Sequence, residues 1–538
     1  MSGNELERRL APMDAFFLFG ESDEAPMTVG CVAVFDGKIP FRKFVRSIDS
    51  RLHLIPRYRQ KVVAAPLNIG MPTWEYDPDF DIENHIHEIR LDKPGTEAQF
   101  YEKAEGLFEG KLDMERPLWE IYVVQGLEGG VSGLVARVHH AMIDGIAGVG
   151  LMMIMFDTVS DPPKIRKKPY RPEPIPDRAT LLQDALWDNA IEGVKHWTKF
   201  QKSLNRYAKG RSDTQVLDSL KEFGRVFTDL LRPTQRYFFN KVFSGKRRFA
   251  FSQYSFSEAR AIRRICPGSK LNDVVLTILG GAMGRYLESH DQPTRGMHLQ
   301  VLVPVNVRED KDDGALGNQI TFLPVAVPLD IANPVARLKR VTEITAKLKE
   351  NRVADSVNLL FNLLQGTPPF LQKLALNAAA APRAQGLLDM LPQVPPANLI
   401  CTNVPGPQIP LYTVGRRMVK YHPLLPLALE MGISCGVTSY DQTLYFSFIA
   451  DGNCAPDIAN LRDFHDEEFE RLRDAAAVSE REYVTFRSSG AVENGRAKNG
   501  HSQNGHARNG HAANGSVKKP ASRKRPTRTK KDPSIPTS

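Results

Sequence analysis

The stretch PLWEIYVVQGLEGGVSGLVARVHH, Pro117 to His140, decides how the chain is read. Two runs rich in β-branched and aromatic residues, Trp119 to Gln125 and Leu134 to Val138, flank a segment that holds Gly129 and Gly130. Runs of that composition joined by a glycine-bearing turn predict an antiparallel hairpin. Closing the hairpin carries Pro117 and Leu118 back beside His139 and His140. Neighbouring side chains on a strand face opposite ways. The two histidines should therefore diverge, one toward a reaction space and the other into packing or a hydrogen bond. Neutral imidazole is the side chain best matched to taking a proton from a hydroxyl near neutral pH. Adjacent strand residues do not readily share one ion, and no His-Glu-x-x-His spacing occurs, so no metal is expected.

Immediately after the pair, Asp144-Gly145 suits a tight turn. An acid there bonds backbone groups and fixes geometry, and Gly145 can take an unusual φ. The charge-free run that follows, Gly145 to Phe156, is shorter than the ~20 residues that span a bilayer. Its spacing predicts a helix with small residues on one side and Met, Leu and Ile on the other.

Further out, composition narrows the class. The chain has 538 residues, 42% hydrophobic and 25% charged, the balance of a globular protein with room for more than one domain. The start, MSGNELERRLAPMD, has no apolar core of a signal peptide. Five scattered cysteines without a CxxC pair fit reduced thiols, so a cytoplasmic setting is expected. The net charge of +9 invites a nucleic-acid reading, but residues 488–538 hold eleven Lys and Arg against two acids. That segment carries the whole excess, and the body is formally neutral. The segment repeats Asn-Gly every five residues from Asn494 to Asn514 and has almost no large apolar residues. It is expected to be a disordered basic tail, and no nucleic-acid function is assigned to the body.

The body reads as two halves around a polar middle. Residues 1–160 mix short strands and loops; 161–250 form a proline-rich linker and helical crossover; 251–487 resume with regular elements. There the pattern predicts a helix in SKLNDVVLTILGGAMGRYL, capped by Ser269 or Asn272, and strands at Leu299 to Val307 and in QITFLPVAVPL. Helices are expected at Asn333 to Arg352 and Asp355 to Ala381, a strand in NLICTNVPGP, a hairpin in GISCGVTSYDQTLYFSFIAD and a closing helix from Ala455 to Val484. Strands and helices alternate in both halves, which predicts an α/β or α+β fold with two sheets.

His139-His140-Ala141-Met142-Ile143-Asp144-Gly145 matches the HHxxxDG motif of the CoA-dependent acyltransferase superfamily, shared by chloramphenicol acetyltransferase and peptide-synthetase condensation domains. Over residues 8 to 485 the chain more narrowly resembles the bacterial wax ester synthase/acyl-CoA:diacylglycerol acyltransferase family. The resemblance rests also on LAPMDAFFLF, PLWE, Asn272-Asp273, PVNVR, GNQITFLPV and TNVPGP. Thr402, where Ser is usual, and Thr28, where His is common, depart from the pattern. The resemblance implies two chloramphenicol-acetyltransferase-like subdomains with mixed sheets flanked by helices. It makes His140 the general base that takes an alcohol's proton as the oxygen attacks the acyl-CoA thioester, and Asp144 a structural residue, with Arg308 its candidate partner. No acyl-enzyme is required, which agrees with the lack of a Gly-x-Ser-x-Gly elbow.

Asn272 is read either as an amide donor at the active centre or as a helix cap. No cofactor is expected; acyl-CoA is a co-substrate, and the acceptor is diacylglycerol or a long-chain alcohol. The run Gly145 to Phe156 either lines an acyl channel or packs in the core. Lys241, Lys246, Arg247 and Arg248 are available for CoA phosphates. The stretch Arg236 to Phe251 and LLFNLLQGTPPFLQKLAL could rest on a membrane or lipid droplet as a peripheral contact. Two other readings stay open: the same fold acting on a glycolipid or carrier-bound acceptor, and a non-catalytic lipid-droplet-binding protein. The sequence leaves the oligomeric state open.

Overall fold

The computed structural model describes residues 8–64, 66, 70–143, 145–187, 234–306, 320–350 and 397–477. All of these belong to one unit, Met1–Thr485. The tail 488–538, Asp144, Arg308, the helix expected at Asp355 to Ala381 and residues 188–233 of the crossover lie outside the described residues.

The hairpin forms. Strands β5 (Trp119–Gln125) and β6 (Ser132–His139) pair antiparallel, with Trp119 opposite Val138 and Val124 opposite Gly133. In the connection Gly126, Gly129 and Gly130 hold φ of 91°, 76° and 71°, a left-handed backbone that glycine adopts without strain. On its other side β6 pairs with β1 (Thr28–Phe35), which sets Thr28 opposite His139. Gly30 of β1 is needed for this approach: a Cβ there would fall 1.9 Å from the Ala136 carbonyl oxygen.

Around this trio grows the first sheet. β4 (Ile86–Arg90) lies parallel to β5, and β12 (Arg416–Leu424) lies antiparallel to β1, followed by the short β11 (Tyr412–Thr413). A second two-stranded sheet pairs β2 (Gln60–Val63) with β3 (Thr73–Tyr76). The other large sheet runs β7 (Arg247–Ser255), β14 (Thr443–Asp451), β13 (Ile433–Tyr440), β10 (Leu399–Pro405), β8 (His298–Asn306), β9 (Ile320–Pro328). Within it β13, β10 and β8 are parallel and the outer pairs antiparallel. Both six-stranded sheets are mixed, as expected. The segment 251–487 does not build only the second sheet, because β11 and β12 complete the first.

Helices cover the faces. α2 (Phe41–Arg51) and α4 (Gly145–Met155) share a core with Phe35, Trp119 and Val123 on one face of the first sheet. On the opposite face, α3 (Glu97–Leu107) packs Phe100 and Ala104 against Val32, Val124 and Val135, where Phe249 and Ile449 of the second sheet join them. Behind β7, α5 (Phe256–Ile262) leads to α6 (Leu271–Glu288), which with α7 (Pro334–Glu350) and α8 (Ile458–Ala475) covers the second sheet. α1 (Pro12–Phe19) closes over the end of the hairpin, its Ala15 and Phe19 clustering with Trp74 and Ala141.

An edge strand presents unpaired backbone groups. At β7, α3 and the residues just after it cover two of them: Glu105 accepts the Phe249 N–H at 2.7 Å, and Glu109 accepts the Arg247 N–H at 3.4 Å. Among the described residues no helix is long and apolar enough to cross a membrane.

Candidate active site

β6 ends at His139, and His140 opens a single 3-10 turn, His140–Met142. The separation of the two rings therefore comes from the end of the strand as well as from its alternation. The His139 N–H donates to the Leu118 carbonyl at 2.9 Å, which brings PLWE beside the motif as the hairpin predicts. The His140 N–H donates to the Met27 carbonyl at 2.8 Å, the next rung of the β1–β6 register after Thr28 opposite His139, and the chain turns after it.

His139 is fully buried. Its Nδ1 accepts the Ala141 N–H at 3.0 Å, so the neutral ring carries its proton on Nε2. Nε2 faces Glu21, with Oε1 3.5 Å away. Burial, assisted by the neighbouring His140, pushes the His139 pKa down to about 3. An imidazole with that pKa stays neutral at working pH and has no exposed nitrogen to offer a substrate.

His140 is half-buried. Its ring stacks on Phe17 of α1, centroids 3.8 Å apart and planes at 19°. Such a contact is worth about 0.5–1.5 kcal/mol and holds the imidazole in one orientation. α1 is the LAPMDAFFLF segment, and it packs directly on the 140–142 turn. Gly145 is the first residue of α4.

Asn272 is not the cap of α6. The helix starts at Leu271 with Lys270 as its N-cap residue; Asp273, in the third position, takes the Lys270 N–H at 2.7 Å on Oδ2 and the Thr345 hydroxyl at 2.8 Å on Oδ1. With Asp273 holding the helix start, neither Ser269 nor Asn272 is needed there. Asn272 is exposed in the first turn, where its Oδ1 accepts the Asn403 Nδ2–H at 2.7 Å. Asn403 belongs to TNVPGP on β10, and β10 also touches α4. Two distant motifs thus meet through one amide pair.

The helix after the motif divides its side chains. Met152 and Met155 are buried in the core of the first sheet, and Met153 on the other side is 41% exposed. For Met152 and Met155 the core-packing reading holds. Of the basic residues considered for CoA, Lys246 meets Glu109 at 2.9 Å, Arg247 meets Asp451 at 3.3 Å and Arg248 meets Glu105 at 3.3 Å. These three cations are committed to carboxylates of the protein. A cavity of about 510 Å³ between β7, α3 and α8, lined in part by Tyr101, Phe251, Tyr254 and His422, includes none of the motif residues.

Sequence reading missed Glu21, Phe17 and Asn403. Phe17 and Asn403 lie within matched motifs but carry no local sign of their partners. Glu21 opens the acidic run ESDE, which reads as solvated surface, whereas its side chain is only 5% exposed.

The family model for the wax ester synthase/diacylglycerol acyltransferase catalytic domain matches residues 10–275, and the model for the C-terminal domain of the same family matches 316–473. A protein of Mycobacterium tuberculosis named a probable diacylglycerol O-acyltransferase is 28% identical over 89% of this chain and 98% of its own. The solved wax ester synthase/diacylglycerol acyltransferase from Marinobacter aquaeolei has the same fold, with a TM-score of 0.59 at 21% identity over 87% of this chain and 100% of that one. The first condensation domain of the calcium-dependent antibiotic synthetase superposes at 0.53 with 13% identity, covering 88% and 96%. Motif, sheets and both family models agree: the chain belongs to the wax ester synthase/diacylglycerol acyltransferase family, and it is an O-acyltransferase.

Proposed function

We propose that the chain transfers a long fatty acyl group from acyl-CoA to diacylglycerol, and to long-chain alcohols, with His140 as general base. The observation that carries this reading is the contrast within the histidine pair: His139 is buried and held neutral, while His140 is half-buried on a turn and clamped by Phe17. The His140 imidazole takes the hydroxyl proton as the acceptor oxygen bonds to the thioester carbonyl carbon. Collapse of the tetrahedral intermediate breaks the C–S bond, and the imidazolium returns the proton to the leaving CoA thiolate. General-base assistance contributes ~10²–10⁴ in rate; positioning and oxyanion stabilisation supply the rest. Asn272 supports the second task, because Asn403 occupies its Oδ1 and leaves its amide hydrogens as donors. Asp144 braces the turn, with Arg308 as partner.

Diacylglycerol takes precedence as acceptor because the matched mycobacterial relative bears that name. Such acceptors reside in membranes and droplets, so the protein works in the cytoplasm as a peripheral visitor to a lipid surface. In the stretch 236–251, Val242 is 60% exposed, which supports a contact of that kind; LLFNLLQGTPPFLQKLAL lies outside the described residues. The test is CoA-thiol release from palmitoyl-CoA with diacylglycerol, hexadecanol or no acceptor, with the product identified by mass. Acceptor-dependent release yielding triacylglycerol supports the reading. Release with neither acceptor, or acyl transfer only to a glycolipid or a carrier-bound hydroxyl, overturns it.

A further inference from the structure

We infer that Glu21 is a positioning residue for the reaction, acting on His140 through His139 and the Met27 peptide; this rests on His140 being the base. Glu21 lies just beyond α1, and its side chain is almost fully withdrawn from water. A carboxyl group in such a place is costly unless it is hydrogen-bonded. Its Oε1 accepts the Met27 N–H at 3.0 Å, and the Met27 carbonyl accepts the His140 N–H at 2.8 Å. Glu21 thereby holds the N–H of the residue whose carbonyl anchors the catalytic turn.

The same Oε1 stands 3.5 Å from His139 Nε2, the nitrogen that carries the proton because Nδ1 is taken by the Ala141 N–H. The Ala141 N–H on Nδ1 is the hydrogen bond that orients the His139 ring; Nε2 makes none and faces the Glu21 carboxyl at 3.5 Å, and Ala141 follows His140 directly. Withdrawn from water, Glu21 acts through its neighbours in the fold. It sets where the His140 backbone sits, and Phe17 sets the ring. Lys111 and Arg137 are the cations that act on Glu21, and Asp23 the anion, so its surroundings are not of one sign. Reach and hydrogen bonding, rather than charge, define the role.

That distinction gives the test. Glu21→Asp keeps the charge and loses one methylene of reach; Glu21→Gln keeps the reach and an acceptor oxygen and loses the charge. In the full-length protein, Glu21→Asp is expected to lower kcat about 10–100-fold, the range for loss of a supporting hydrogen bond, with KM for palmitoyl-CoA unchanged within about twofold. Glu21→Gln is expected to keep kcat within about threefold. Circular dichroism and thermal unfolding of both variants establish that the fold is retained. Unaltered kcat in Glu21→Asp overturns the inference, as does a raised KM in place of a lowered kcat. So does the reverse order, with Glu21→Gln inactive and Glu21→Asp active. Full activity of His140→Ala removes the general-base reading itself. An inactive His140→Ala beside a fully active Glu21→Asp removes only the inference about Glu21.

Discussion

His139 and His140 are neighbours in sequence and opposites in environment. Alternation along a strand predicts their divergence, and the divergence is present. Its full setting is not local: the Met27 carbonyl takes the His140 N–H in the register of the β1–β6 ladder, and the chain turns only after that bond. The divergence of the pair was therefore legible, while the residues that set it were not. Glu21 lies 118 positions before His139, and nothing near either residue announces the other. Phe17 belongs to the same group of distant partners. Replacing Phe17 with alanine removes the stack on His140 and should lower kcat about fivefold, since about 1 kcal/mol of orientation is lost. Phe17→Tyr, which keeps the ring face, should stay near wild type. Steady-state kinetics with saturating acceptor decide this; equal kcat values for Phe17→Ala and wild type would show that the stack is idle.

At the scale of elements, the β5–β6 hairpin was readable because apolar alternation and turn glycines agree locally. The pairing of β12 with β1 was not, because the two strands are almost four hundred residues apart and neither carries a mark of its partner. Helix starts show the same limit. Asn272 looks like a cap by type, yet the acid one residue later holds the helix start. The contact between α3 and edge strand β7 is another long-range device. Glu105→Ala leaves the buried Phe249 N–H without its acceptor, an expected loss of about 1–3 kcal/mol in chemical denaturation, and Glu105→Gln should lose less. No change in Glu105→Ala would mean that the edge is covered some other way. Gly30→Ala is expected to abolish soluble expression, because its Cβ has no room against the Ala136 carbonyl; a soluble, active variant would refute the tight strand approach.

Across the whole molecule, burial holds His139, His422 and His465 at pKa values near 3, well below the usual 6.5. Each is neutral when folded and gains a proton on unfolding below pH 6.5. Each therefore favours the folded state fully above that pH and progressively less as pH falls from 6.5 toward 3. The buried Glu21, Glu105 and Glu258 shift upward and act in the opposite sense, so the histidine contribution is read best by difference. His465→Gln, which keeps a hydrogen-bonding group beside the Tyr254 hydroxyl, should reduce the loss of stability between pH 6.5 and 4 by up to about 1.4 kcal/mol per pH unit. An unchanged slope would place His465 in contact with water. The fold thus holds these three buried histidines neutral and leaves one histidine of the motif half-open. The central claim, that His140 removes the acceptor's proton, is tested most directly by the turnover of full-length His140→Ala and His139→Ala with palmitoyl-CoA and diacylglycerol. His140→Ala should lose ~10²–10⁴ in kcat while remaining folded. Full turnover in His140→Ala together with loss of turnover in His139→Ala would contradict it.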